Sequence, residues 1–265
     1  RPDHPGVTPM PDVKLSQLAA ASAASVAAGA GLWTMAGHIL GLRMEYVGPA
    51  SIRVSSGSAW IPSLQQAIEV PSALTLSGLT LAANTWYHLY LYLNGSTPAI
   101  EAVTDAPAAP YSGTARAKTG AASRRYVGSF RTDAGGVIAK FKHIPAAGAV
   151  VYLGIRPLSL NAGVSTTTTS VSLGAAVPTT AAAAALIISL DAAGAALFTG
   201  NSEMPDPVLS NGNFLGYTES STQVSVSRMD GHPVDANQSI SYRLSQTPSS
   251  GTGAYVRVMA YTYER

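Results

Sequence analysis

From Trp86 to Gly95 the chain alternates: Leu89, Leu91 and Leu93 share one parity, and His88, Tyr90 and Tyr92 share the other. Successive side chains of a strand point to opposite faces. A period of two therefore predicts a strand with an aliphatic face on a core and an aromatic, hydrogen-bonding face turned elsewhere. Short segments bounded by Gly, Pro, Asn and Ser repeat this pattern from Ile39 onward. Strands are predicted over Leu42–Val47, Ser51–Ser55, Ala59–Ile61, Ala67–Val70, Leu74–Leu76, Trp86–Leu93, Ile100–Val103, Arg125–Arg131 and Val137–His143. Asn94-Gly95 and Asp133-Ala134-Gly135-Gly136 carry the residues of hairpin turns.

After Pro145-Ala146-Ala147-Gly148 a second set follows: Val150–Leu153, Ser165–Leu173, Leu186–Leu190, Ala195–Thr199, Gln223–Ser227, Ser239–Leu244 and Ala254–Tyr263. In the last of these, strict alternation puts Val256, Val258 and Ala260 on one face and Tyr255, Arg257, Met259, Tyr261 and Tyr263 on the other. Helical character is confined to the N-terminus. Pro2, Pro5, Pro9 and Pro11 make an extended arm, Asp12 is a plausible N-cap, and Val13 to Ala28 has helix propensity ending at Gly29. The fold class expected is all-β: two antiparallel β-sandwich-like domains, 39–148 and 149–265, preceded by a proline-rich arm and a short N-terminal helix over 1–38.

Composition narrows the chemistry. Charged residues are 11% of the 265, well below the roughly 25% of ordinary soluble domains. The net charge of +2, with Lys and Arg mostly single, gives no basic stripe for phosphates, so nucleic acid is not an expected partner. The longest apolar run, Ala181 to Leu190, is about half the roughly 20 residues a membrane-spanning helix needs; it reads as a core strand, and membrane insertion is not expected. From Arg156 to Asp191 no charged residue intervenes, which suits burial within a sandwich or against identical neighbours. Cysteine is absent, which removes thiol chemistry and disulfides.

Catalytic patterns are missing. No Gly-x-Ser-x-Gly elbow occurs, and His4, His38, His88, His143 and His232 are scattered without ligand spacing, so no catalytic residue, metal or cofactor is assigned. Glu101 and Asp105 are the nearest approach to a glycosidase pair and read as a strand residue and a loop residue. Asp230 to Asn237 is oxygen-rich but lacks calcium-loop spacing and reads as a turn. Arg124-Arg125-Tyr126 could hold an anionic sugar or make a cation–π contact within the fold. Flat rings cover the apolar face of a sugar, so Phe214, Tyr217, Tyr255, Tyr261 and Tyr263 are the receptor-contact candidates.

The order Ile52-Arg53-Val54-Ser55-Ser56-Gly57-Ser58-Ala59-Trp60-Ile61-Pro62, Asn84 to Tyr92, Ala106-Pro107 to Arg116 and Ser123 to Gly128 resembles a module of tail-fibre and receptor-binding proteins of tailed bacteriophages. The likeness covers roughly residues 40–145. The second half, through Val171-Ser172-Leu173, Val177-Pro178, Leu186-Ile187-Ile188, Ile240-Ser241-Tyr242 and Tyr255 to Tyr261, is similar to the sandwich-like modules that end many such virion proteins. The resemblance implies a non-enzymatic homotrimer in the virion. Its N-terminal arm would attach to other tail or capsid proteins, and its C-terminal end would meet a host surface glycan or protein. A purely structural collar, baseplate or decoration protein is the alternative, and a polysaccharide depolymerase using Glu101 and Asp105 a third.

Overall fold

Alternating apolar residues require partner strands to cover their backbone and one face, and the chain supplies them almost entirely from antiparallel neighbours. The computed structural model describes residues 35–144, 148–154, 156–204, 212–220 and 224–265. The expected arm and the helix from Asp12 to Ala28 lie outside the described residues.

The described residues form twenty strands. The first ten are β1 (Ile39–Gly41), β2 (Met44–Gly48), β3 (Ser51–Val54), β4 (Gly57–Ile61), β5 (Gln66–Val70), β6 (Leu74–Leu76), β7 (Trp86–Asn94), β8 (Thr97–Val103), β9 (Ala117–Lys118) and β10 (Ala121–Arg131). Then come β11 (Phe141–Ile144), β12 (Ala149–Tyr152), β13 (Leu158–Gly163), β14 (Thr169–Ser172), β15 (Ala181–Ala192), β16 (Ala195–Gly200), β17 (Gly216–Ser220), β18 (Ser225–Pro233), β19 (Ser239–Leu244) and β20 (Gly251–Tyr263). One turn of 3-10 helix, Pro62–Leu64, follows β4.

They make five antiparallel sheets: β1-β4-β5, β2-β3-β6, β8-β7-β10-β9, β14-β19-β16-β17, and a larger sheet ordered β11-β12-β20-β15-β18 in which β13 also pairs with β20. The all-β, antiparallel expectation holds. Asn94 pairs with Thr97 across Gly95, which adopts a positive φ of 64°, so the expected Asn-Gly hairpin is present.

Several boundaries differ from the sequence reading, each for a reason of pairing. β1, β9, β13 and β17 were not expected; all but β17 are short or bulged, so their alternation is too brief to register. β18 runs on to Pro233, into the segment expected to be a turn, because a register shift between Ala184 and Leu186 lets Met229, His232 and Pro233 all stay paired with β15. The expected boundary near Gly148 falls between β11 and β12, which are antiparallel partners from Phe141↔Tyr152 to Ile144↔Ala149. The first half therefore contributes a strand to the sheet of the second, and one core cluster runs from Leu42 through Val150 to Val258.

The aromatic face of β7 is covered by that second half. His88 and Tyr90 are buried beside Ser129 and Tyr126 of β10. Over them lie Tyr261 and Tyr263 of β20: Trp86 meets Tyr261 edge-on at 5.9 Å and Tyr126 meets Tyr263 at 6.3 Å. Every hydroxyl here finds a partner. Tyr126 shares hydrogen bonds with Ser129 Oγ (2.7 Å) and Thr180 Oγ1 (2.9 Å), and Tyr261 donates to Ser129 O at 2.9 Å. Trp86 Nε1 donates to Gly174 O, and Tyr152 donates to Ala176 O. Buried polar groups so paired fix one docking geometry, because each alternative leaves a donor or acceptor without water.

The β1–β4 pair illustrates how closely two backbones approach. Gly41 and Gly57 face each other, and a Cβ on Gly57 would lie 2.1 Å from Leu40 O and 2.7 Å from Leu42 N. Both obstacles are backbone and cannot rotate away. Gly57→Ala is expected to lose about 3 kcal/mol in urea unfolding. Gly48→Ala, with open space around its new methyl, should stay within about 0.5 kcal/mol of the parent.

Candidate functional site: an aromatic face on the C-terminal sheet

The outward side of the β14-β19-β16-β17 sheet gathers rings from three places in the chain. In β16 the alternation sends Leu197 and Thr199 toward the larger sheet, where Thr199 Oγ1 contacts Met229 Sδ of β18, and sends Phe198 the other way. Tyr217 of β17 and Arg243 of β19 are the direct cross-strand partners of Phe198. Opposite residues lie on one face, so Tyr217, Phe198 and Arg243 form a row across three strands. Phe214, just before β17, closes a triangle: centroid separations are 5.4 Å for Phe198–Tyr217, 5.7 Å for Phe198–Phe214 and 5.7 Å for Phe214–Tyr217.

Phe198 is buried beneath the other two rings, which remain half-exposed. The Tyr217 hydroxyl donates to Glu219 Oε2; this bond, helped by burial, raises the phenol above its ordinary value and keeps it a donor at neutral pH. Arg243 Nε is shut off from solvent and has no hydrogen-bond partner. Half-exposed rings flanked by a carboxylate and a guanidinium can stack on the apolar face of a sugar and reach its hydroxyls.

Among the candidates named from sequence, Phe214 and Tyr217 thus come together. Tyr255 does not join them: it lies on the outer side of the larger sheet, its hydroxyl donating to Thr252 Oγ1, which donates to Asp191 Oδ2. Tyr261 and Tyr263 must be corrected. Tyr261 is 2% exposed, and Tyr263 packs on Tyr126 and His143 with its hydroxyl donating to Val127 O, so both hold the two halves together. The cause is a register shift where Ala185 pairs with Ala260 but Leu186 pairs with Val258. One extra residue there reverses parity, turning Ala260 outward and Tyr261 into the core.

Phe198 and Arg243 were missed by the sequence reading. The available signal was Phe198 standing out of phase with Leu197 in the expected strand Ala195–Thr199.

The charged candidates are committed within the fold. Lys118 Nζ lies 3.4 Å from Glu101 Oε1 and 3.0 Å from Asp105 Oδ2, and Arg124 Nε lies 3.2 Å from Glu101 Oε1. Arg124 also caps the Tyr92 ring at 3.9 Å. Arg125 is fully buried, donates to Arg116 O, and lies 5.7 Å from the Tyr111 ring centroid. Asp235 accepts from Asn237 N, Ser239 N and Ser202 Oγ, which closes its turn. Among the described residues no group of three or more His, Asp or Glu is placed to hold a metal ion.

Compared with protein-family models, with curated proteins and with solved structures, the chain matches none.

Proposed function

We propose that this chain is a phage virion attachment protein: a trimeric tail fibre or tip built of two β-sandwich-like halves. Its N-terminal arm joins it to the particle, and its C-terminal half recognises a glycan or protein on the host surface. The resemblance of residues 40–145 to phage fibre modules supports the virion context. The observation that carries recognition is the half-exposed Phe214–Tyr217 pair over Phe198, beside Arg243.

Self-association has its own support. The outer side of the larger sheet presents Ala183, Ala185, Val151, Ala260 and Thr262 around a concavity of about 300 Å³, with Val226 61% exposed farther along β18. The exposed ion pair of Arg228 and Asp230 stands at the edge of this concavity, so the face combines an apolar hollow with a charged rim, a surface that suits a complementary neighbour, an identical copy included. It equally suits other virion chains, as the second reading, a structural collar, baseplate or decoration protein, requires.

Adsorption separates the two. A stacking contact worth about 1 kcal/mol corresponds to roughly fivefold in affinity, and three sites engaging together multiply that to about a hundredfold. Tyr217→Ala, placed on particles, should lower adsorption to host cells by up to about that factor while leaving oligomer size in light scattering unchanged. Unchanged adsorption would sink the receptor assignment and leave the structural reading.

A further inference from the structure

A second concavity, of about 200 Å³, opens where the start of the described chain meets the end of β20. It is lined by Ile39, Leu40 and Gly41 of β1, Arg43, His143 of β11, Gly148, and Tyr263 and Arg265. The charged side chains that line it, Arg43 and Arg265, are both cationic. Arg265 is fixed at the wall by Nη1 donating to Leu42 O at 2.9 Å, and by its carbonyl accepting from Thr114 Oγ1. Arg43 is anchored at its backbone, whose N–H donates to Ser55 Oγ. Its side chain is exposed at the rim.

Among the described residues neither guanidinium, of Arg43 or of Arg265, has a carboxylate partner, while the neighbouring acids are taken: Glu45 by Arg53 and Glu264 by Arg116. Fully buried Arg125, behind the pocket wall, adds positive charge close enough to Arg265 to feel it. His143 Nδ1 is closed to solvent without a hydrogen bond. Burial together with Arg265 and Arg43 holds this imidazole near 4, so it faces the pocket neutral at pH 7. Two guanidiniums that converge on one hollow repel each other, and an anion between them replaces that repulsion with two attractions.

We propose that this pocket binds a small oxyanion group, a carboxylate, sulfate or phosphate, gripped by Arg43 and Arg265 with the His143 ring beside it. The volume is below the roughly 300–1,000 Å³ of a drug-sized ligand site and fits a charged group with part of the residue bearing it. Guanidinium forks match both carboxylate and phosphate oxygens. The site is separate from the aromatic face and does not depend on the attachment role.

The test is calorimetric titration of the full chain at 0.15 M salt with inorganic phosphate, with galacturonate and with galactose. Phosphate or galacturonate should bind and galactose should not; which of the two binds more tightly identifies a phosphoryl or a carboxylate source. Arg43→Gln, at an exposed side chain, should weaken binding at least tenfold, and Arg228→Gln, an exposed arginine on β18, should leave it unchanged. The bound anion should also move the His143 titration upward in NMR, since it offsets both arginines. Failure of both anions to bind, an equal loss in both variants, or an immobile His143 titration would overturn the assignment.

Discussion

Tyr261→Ala is expected to lower the unfolding free energy by about 3–5 kcal/mol, the range for removing a large aromatic side chain from a packed core. The ring is 2% exposed and touches Trp86 at 5.9 Å, Tyr152 at 6.0 Å and Tyr263 at 6.1 Å, so no solvent-facing shell can relax into the space. Its hydroxyl is the donor to Ser129 O, and Tyr261→Phe, which keeps the ring, should lose only about 1–3 kcal/mol. Urea melts at matched protein concentration check both, followed by tryptophan fluorescence, to which Trp86 beside Tyr261 contributes. Because β11, β12 and β20 lie in one sheet, both halves should melt in a single transition in the parent protein. A loss under about 1 kcal/mol for the alanine variant would mean that the junction is not where the halves are held.

Acidification from pH 7 to pH 4 is expected to remove about 3 kcal/mol of stability through His88 alone. Burial holds this imidazole down to about 4, with the Asp105 carboxylate opposing only in part. The ring is 4% exposed, and its Nδ1 lies 2.7 Å from Ser129 Oγ. The unfolded chain takes up the proton near 6.5 and the folded chain does not. Stability is therefore complete above 6.5, falls as pH drops toward 4, and levels below it; each pH unit in that interval removes about 1.4 kcal/mol. His143, also lowered to about 4, acts in the same direction and window. The measurement is unfolding free energy against pH for the parent and His88→Gln. The variant should show a shallower slope between pH 4 and 6.5, and parallel curves would refute the assignment.

Residues with the same local pattern had different fates. Leu89 and Leu91 reached the core as their alternation required, and Leu74–Leu76, Trp86 to Leu93 and Ser239–Leu244 became strands where the pattern placed them. The Ala181 to Leu190 run is likewise a strand, with Ala184, Leu186, Ile188 and Leu190 buried in strict alternation. The opposite face of β7 was legible as aromatic but not as buried, because residues distant in sequence cover it: Tyr261 of β20 over Trp86, Asp105 O at the Tyr90 hydroxyl and Arg124 over Tyr92. Of the receptor candidates, Phe214 and Tyr217 were legible as a loop-to-strand aromatic pair. Phe198 and Arg243 were not, since their meeting depends on the order β19-β16-β17. The cationic pocket was still less visible: Arg43, His143 and Arg265 come from opposite ends and the middle of the chain.

Side-chain periodicity, turn residues and the scarcity of charge were enough to specify antiparallel β-structure with unusually neutral faces. These are local properties, written within a few residues of where they act. Which face of a strand lies inside is set by packing between strands distant in the chain. A single register shift between β15 and β20 exchanged the sides of Ala260 and Tyr261, and with them an expected receptor contact became the core of the junction. A period of two carries no memory of parity across an inserted residue, so that choice belongs to the neighbouring strands and to the polar partners, Ser129 O above all, that wait on one side.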